Sequence, residues 1–271
     1  MRVGYVQFAP EFGEVERNVN RVAELLSLEQ ADLWVLPELF ATGYQFTSGR
    51  EVEDLAEPIP EGPTTARLVA LARERDCHIV AGLAEQADGR LYNSAALVGP
   101  SGLVVRYRKV HLFYEEKLHF TPGNLPFPIA HVGLVKVGLL VCYDHLFPEA
   151  GRSLALQGAD VIAHPANLVM PGLAQLTMRV RAMENRVFTV TANRVGVEAR
   201  TEETLRFTGL SQVVAPSGDV LVQAPSDREE VRAVEIEPAQ ARDKHLTRLN
   251  DVFADRRPEF YGRLVEGQNA P

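Results

Sequence analysis

Cysteine occurs only twice in this 271-residue chain, at Cys77 and Cys142. Cys77 falls within the strand-like run CHIVAGLAE, so the sequence argues against a disulfide framework. No apolar run approaches the ~18 residues that a membrane-spanning helix needs. Met1 leads straight into a strand, with no charged and then apolar leader, so the expectation is a soluble, cytoplasmic protein. Basic residues are outnumbered, 28 against 36, which leaves a net charge of -8 and a pI near 5.5. That balance argues against nucleic acid and against anionic membrane surfaces as partners, because both are met with basic patches. His111, His119, His145 and His164 show no HxxxH spacing and the cysteines no CxxC, so a metal site is disfavoured and no cofactor is expected.

What remains is an ordinary globular composition, 46% hydrophobic and 24% charged, with ample length for a core. The chain opens with a strand from Val3 to Phe8 and a helix carrying Val19, Val22, Ala23 and Leu26 at helical spacing. A second apolar strand, Leu33 to Leu36, follows, and strand, helix, strand is the crossover grammar of a mixed α/β sheet. Pro58, Pro60, Gly62 and Pro63 interrupt the chain before a helix with Leu68, Leu71 and Ala72. A strand at Cys77 to Ala84 leads to a hairpin with the turn Pro100-Ser101-Gly102. The same turn word returns 116 positions later as Pro216-Ser217-Gly218, again between valine-rich arms. This internal repeat suggests two similar halves packed sheet against sheet.

Three places along the chain carry chemistry. The run Val135 to Val141 reads as a strand buried on both faces, and it ends on Cys142. Pro148 and Glu149 then start a helix in which Leu154 and Leu156 continue to Gly158. Cys142 therefore sits between the C-terminal end of a strand and the N-terminal end of a helix, where open α/β sheets put reacting groups. Glu38 follows Pro37 directly at the end of the strand Leu33–Leu36, where a carboxylate is costly unless it is paired or used. Lys109 follows Val105 and Tyr107 in a period-two strand. The chain has four lysines, leaving arginine at 24 of 28 basic positions, so a lysine directly after Arg106 and Arg108 suggests a need for a compact ammonium.

A glutamate in PEL, a lysine in YRKVHLF and a cysteine in CYDHLFPE, each closing its own strand, resemble the nitrilase superfamily of carbon–nitrogen hydrolases. The resemblance extends to EKLHFTPG (Glu116 to Gly123), HPANLVMP (His164 to Pro171) and the RVG at Arg194. It implies a four-layer α-β-β-α sandwich of two pseudo-symmetric halves over residues 1–248, with a tail at 249–271 reaching a subunit interface. It also implies a homodimer or larger homo-oligomer, built on the helix after Cys142 and on the helix carrying Leu173, Leu176, Thr177, Val180 and Met183. Cys142 would be the nucleophile, Glu38 the general base and acid, and Lys109, with the backbone N–H of Tyr143, the holder of the developing negative charge. Glu116, in preference to Glu115, would orient the lysine. Tyr44, Phe113, Tyr114, His119, Phe120, His145 and Asn167 become candidates for contact with the substrate.

The expected substrate is a small non-peptide amide or nitrile, cleaved to acid and ammonia through a thioester. Tyr143-Asp144 leans toward small linear amides, while Leu146 departs from the arginine common in amidase relatives. An N-carbamoyl amidohydrolase is the alternative, and a catalytically silent scaffold on the same fold is the rival of another class. A Cys-His hydrolase using His145 is disfavoured, because VCYDH lacks the glycines that usually flank a nucleophile elbow.

Overall fold

A computed structural model describes residues 1–266; the last five residues of the expected 249–271 tail lie outside the described residues. In the first half, β1 (Arg2–Gln7) leads to α1 (Val15–Leu26), whose Val19, Val22, Leu25 and Leu26 form the buried stripe. β2 (Leu33–Val35) follows, and then α2 (Gly49–Leu55), a short helix the hydrophobic pattern does not announce; the Ser48 side chain caps it by accepting from Glu51 N. α3 (Pro63–Arg75) begins with proline in its first turn and buries Leu68, Leu71 and Ala72. β3 (His78–Ala87), β4 (Arg90–Gly99) and β5 (Gly102–Arg108) complete this half.

In the second half a single turn, α4 (Glu116–His119), precedes β6 (Ile129–Val132) and β7 (Val135–Leu139). A 3-10 turn over Cys142–Leu146 runs into α5 (Pro148–Leu156), followed by β8 (Val161–Pro165) and α6 (Leu173–Asn185). β9 (Phe188–Ala192) is followed by a two-stranded flap, β10 (Val197–Glu198) and β11 (Leu205–Arg206). β12 (Gln212–Val214) and β13 (Val220–Gln223) form the second hairpin, and β14 (Glu230–Glu235) returns to pair with β1.

The two six-stranded sheets have orders β14-β1-β2-β3-β4-β5 and β6-β7-β8-β9-β12-β13. Each has three central parallel strands flanked by antiparallel ones, so the halves match strand for strand. The repeated Pro-Ser-Gly turns join matching strand pairs, β4 to β5 and β12 to β13. A second repeat shows only on the structure, Ala31-Asp32-Leu33 through Pro37 against Ala159-Asp160-Val161 through Pro165. In both, the aspartate before the strand accepts an N–H from the start of its neighbour, Arg2 N of β1 at 2.7 Å and Lys136 N of β7 at 2.9 Å.

Alternation explains the layers. Val3, Tyr5, Leu33 and Val35 meet Val137, Leu139, Val161 and Val190 between the sheets, while Val6, Trp34 and Leu36 face α1 and α3. On the other side Leu140 and Ile162 pack under α5 and α6 with Leu154 and Met178. The result is an α-β-β-α sandwich in which the central strands are buried on both faces, hence their unbroken apolar runs.

Arg108 is buried, pairs with Glu85 at 2.7 Å and lies over the Tyr92 ring. The buried side of α6 is Ala174, Met178 and Ala182, while Leu176 and Met183 from the expected stripe point outward. Among the described residues, no helix is long and apolar enough to cross a membrane.

The two aspartates of the repeat make a direct comparison. Asp160 is buried and Asp32 is exposed. Asp160→Ala is expected to cost about 1–3 kcal/mol in urea unfolding, because it strands the Lys136 N–H, and Asp32→Ala less than about 1 kcal/mol because water replaces the acceptor. Equal losses would contradict this.

Candidate active site

β7 carries the chain to Cys142, which adopts φ +42°, a left-handed conformation that costs a non-glycine residue roughly 1–3 kcal/mol and persists only where neighbours enforce it. Two side chains do so. Asp144 Oδ2 accepts from Val141 N and from the Tyr107 hydroxyl, each at 2.9 Å, and the Cys142 carbonyl lies 2.8 Å from His164 Nε2. A carbonyl can only accept, so Nε2 carries the proton, and His164 Nδ1 takes the Thr191 hydroxyl at 3.1 Å. Burial lowers the pKa of His164 and keeps the ring neutral. The sharp strand-to-helix turn, which the absence of glycine argues against, is thus built with hydrogen bonds instead.

Glu38 stands just beyond β2, wholly buried. Its backbone presses on Gly82 of β3, where an added Cβ would lie 2.4 Å from Glu38 Cα. Lys109 leaves β5 with its N–H on Asn93 O and its carbonyl on Gly123 N, each at 2.8 Å. A Cβ at Gly123 would fall 2.0 Å from Arg108 O, so glycine is what lets that strand pass. From this frame Lys109 Nζ reaches Glu38 Oε1 and Glu116 Oε1, both at 2.7 Å. Asn93 Nδ2 donates to Glu38 Oε1 at 2.7 Å, and the Tyr44 hydroxyl donates to Glu116 Oε1 at 2.7 Å. Of the acidic pair, Glu116 is the one that turns in.

The charges are tightly balanced. Burial alone would strip Lys109 of its proton, but Glu116 and Glu38 overcome it and hold the ammonium well above the ordinary lysine range. Burial pushes Glu116 up to about 7 against the pull of Lys109, and the Glu38 charge adds to the push. Burial, and then the Glu38 charge, raises the Cys142 thiol well above its usual range, with Lys109 opposing. Burial thus favours the thiol over the thiolate, with the Glu38 and Lys109 charges acting on it in opposite senses. Asn167 ties the two together: its Nδ2 donates to Glu38 O at 2.9 Å, and its carbonyl lies 3.8 Å from Cys142 Sγ.

Cys142 opens onto a cavity of about 210 Å³, lined also by Phe113, Tyr143, His145 and Asn167 and by an aliphatic set that includes Leu146, Leu168, Val169 and Leu173. Glu38, Lys109 and Glu116 are not among its lining residues, and neither are the remaining candidates. Tyr44 touches Glu116 from behind. Phe120 is core, edge-on to Phe46 in a cluster with Leu39 and Leu112. Tyr114 is largely exposed, and His119, in the last turn of α4, is half-buried. Three other polar side chains hold the site together without having been named as site residues from the sequence: Asn93, Tyr107 and Asp144. The available signal for Asn93 was a polar pair, Asn93-Ser94, inside an otherwise apolar buried strand.

Residues 2–245 match the sequence profile of the carbon–nitrogen hydrolases. The chain belongs to this family. A nitrilase from Pyrococcus abyssi is 48% identical to it over 266 residues, 97% of this chain and 100% of the relative. An (R)-stereoselective amidase from a Pseudomonas species is 38% identical over 98% of this chain and 95% of its own. A solved amidase from Nesterenkonia, a glutamate-to-glutamine mutant described as showing Michael addition of acrylamide at the active-site cysteine, superposes with a TM-score of 0.80. It is 26% identical and covers 98% of this chain and 100% of that one. This carbon–nitrogen hydrolase is accordingly an enzyme acting on C–N bonds.

His145 offers a check on the cavity's electrostatics. Its Nδ1 lies 2.6 Å from the Thr177 hydroxyl, and burial lowers its pKa to about 3. Between about 3 and the unfolded value of about 6.5, the unfolded chain binds a proton that the native one does not, so stability falls as pH falls. This residue's share approaches about 1.4 kcal/mol per pH unit. His145→Gln is expected to flatten the pH dependence of unfolding between pH 6 and 4, and an unchanged slope would refute the assignment.

Proposed function

We propose that this carbon–nitrogen hydrolase cleaves small, uncharged non-peptide amides or nitriles to acid and ammonia, with Cys142 as nucleophile, Glu38 as proton carrier and Lys109 as charge holder. One observation carries the reading: the Lys109 ammonium bridges the buried Glu38 and Glu116 at 2.7 Å, beside a thiol that needs a base. In the proposed sequence Glu38 takes the thiol proton and the sulfur adds to the amide carbon. The carbonyl electron pair moves onto oxygen, where Lys109 and the Tyr143 N–H receive it. The C–N bond then breaks as Glu38 protonates the departing nitrogen, leaving ammonia and a thioester. Water, deprotonated by Glu38, adds to the thioester; the C–S bond breaks, and the proton returns to sulfur. A nitrile would enter the same route as a thioimidate.

The cavity supports an uncharged acyl group. Its aliphatic wall carries no arginine, lysine, aspartate or glutamate, so a carboxylate or ammonium on the substrate would lose its water without gaining a partner. The same point counts against N-carbamoyl substrates with a charged tail, and the retained reacting groups count against a silent scaffold. The reading includes a homodimer or larger homo-oligomer in the reducing cytoplasm. It is supported by outward-facing Leu156, Leu176 and Met183 on α5 and α6 and by exposed Phe260 and Leu264 near the chain's end.

The test is ammonia release from a panel of propionamide, butyramide, butyronitrile, succinamate and N-carbamoyl-β-alanine. Uncharged members are expected to exceed charged ones in kcat/KM by on the order of 100-fold or more. Preference for a charged member would overturn the substrate class. Cys142→Ala, Glu38→Gln and Lys109→Ala are each expected to lose on the order of three decades of turnover while remaining folded, and their combinations to be non-additive. Lys109→Arg is expected to fail as well, because a planar fork cannot sit where a point charge meets two carboxylates. Full activity in Cys142→Ala would end the proposal.

A further inference from the structure

Tyr44 lies outside the cavity wall, yet its hydroxyl shares Glu116 Oε1 with the Lys109 ammonium, each at 2.7 Å. We propose that Tyr44 is a positioning residue: its hydroxyl keeps Glu116 charged, so that the proton moved during turnover travels on Glu38 and Lys109 stays clamped. The inference rests on the roles proposed above for Cys142, Glu38 and Lys109.

The two carboxylates are near equivalents, and that is the difficulty Tyr44 resolves. One ammonium faces both, and a proton taken from the thiol would settle on whichever carboxylate is held less firmly in its charged form. Each has one oxygen taking Lys109 and one further donor. For Glu38 that donor is the Asn93 amide, and for Glu116 it is the Tyr44 hydroxyl, with Asn93 reaching Glu116 Oε2 only at 3.4 Å. Glu38 Oε2 has no hydrogen-bond partner among the described residues and is buried, so it is the oxygen left to take and return a proton. The titratable groups acting on Glu116 are Lys109, Glu38 and Tyr44, with the Cys142 thiol adjoining the same cluster. Burial together with the Glu116 and Glu38 charges raises Tyr44 far above its ordinary range, so the hydroxyl remains a donor. Glu116, held near neutrality by burial, is therefore sensitive to a single hydrogen bond.

The second half of the chain holds Tyr44 in place. The N–H groups of Tyr44 and Gln45 donate to Glu198 at 3.1 and 2.6 Å, and Glu198 is paired with the buried Arg194. Arg194 lies over Phe207 and also reaches Pro10 O at 3.0 Å, while the Tyr44 ring meets Phe207 edge-on. Gly43 turns the backbone at φ +82°, where a Cβ would strike Phe12. The Arg194-Val195-Gly196 segment thereby acquires a job: it fixes the donor that fixes the charge on Glu116.

The experiment uses acrylamide, an unsaturated amide, as probe and follows the adduct on Cys142 by peptide mass spectrometry, with Cys77 as internal reference, from pH 5 to 9. In the full chain the rate is expected to rise through an acid limb. Tyr44→Phe should move that limb to higher pH by about one unit, with a plateau within about threefold of the parent, because one hydrogen bond to the charged form is gone. Glu116→Gln should remove the limb. A Tyr44→Phe rate reduced by one constant factor at every pH would mean that the ring only packs against Phe207 and would overturn the proposal. So would a parental limb surviving in Glu116→Gln. If acrylamide leaves Cys142 unmodified in the parent protein, the nucleophile assignment fails first, and that failure is distinct from an unmoved limb.

Discussion

The active site depends on one ammonium held between two buried carboxylates. Lys109, Glu38 and Glu116 are each buried, and each would be untenable alone, since an isolated charge without water is strongly disfavoured. Together they are mutually compensated, and burial, with the Glu38 charge adding to it, raises the adjacent Cys142 thiol above its usual range.

The sandwich is the means of bringing these groups together. Glu38, Lys109 and Cys142 follow the ends of β2, β5 and β7, two from the first sheet and one from the second, and only face-to-face packing of the sheets closes that distance. Strands buried on both sides leave little freedom in register, so their ends are placed as firmly as their middles. The glycines at 82 and 123 act at the same level, letting backbones pass where a methyl group would hold them apart.

Much of this could be read before the fold was known. The apolar runs, the helical stripes on α1 and α3 and the Pro-Ser-Gly repeat carry the layer architecture, because hydrophobic periodicity and turn chemistry are local. Glu116 could be chosen over Glu115 from motif register. Other features were hidden for physical reasons. The Arg108–Glu85 pair left no trace because β5 and β3 are not neighbours in the sheet. Phe120 looked like a pocket wall because an aromatic near a site and an aromatic in a satellite core are the same letter in sequence.

The sequence by itself determined the two-half α/β design, because strand burial and turn chemistry are written in local patterns, and it singled out Glu38, Lys109 and Cys142 by their motif resemblance. Only the tertiary structure decided which acceptors and donors meet: Asn93 on Glu38, Tyr44 on Glu116, and Asp144 and His164 around the strained cysteine. Hydrogen-bond partners separated by dozens of residues leave no periodic trace in the chain. They exist only once packing has brought their strand ends within about 3 Å of one another, and their short range makes them specific.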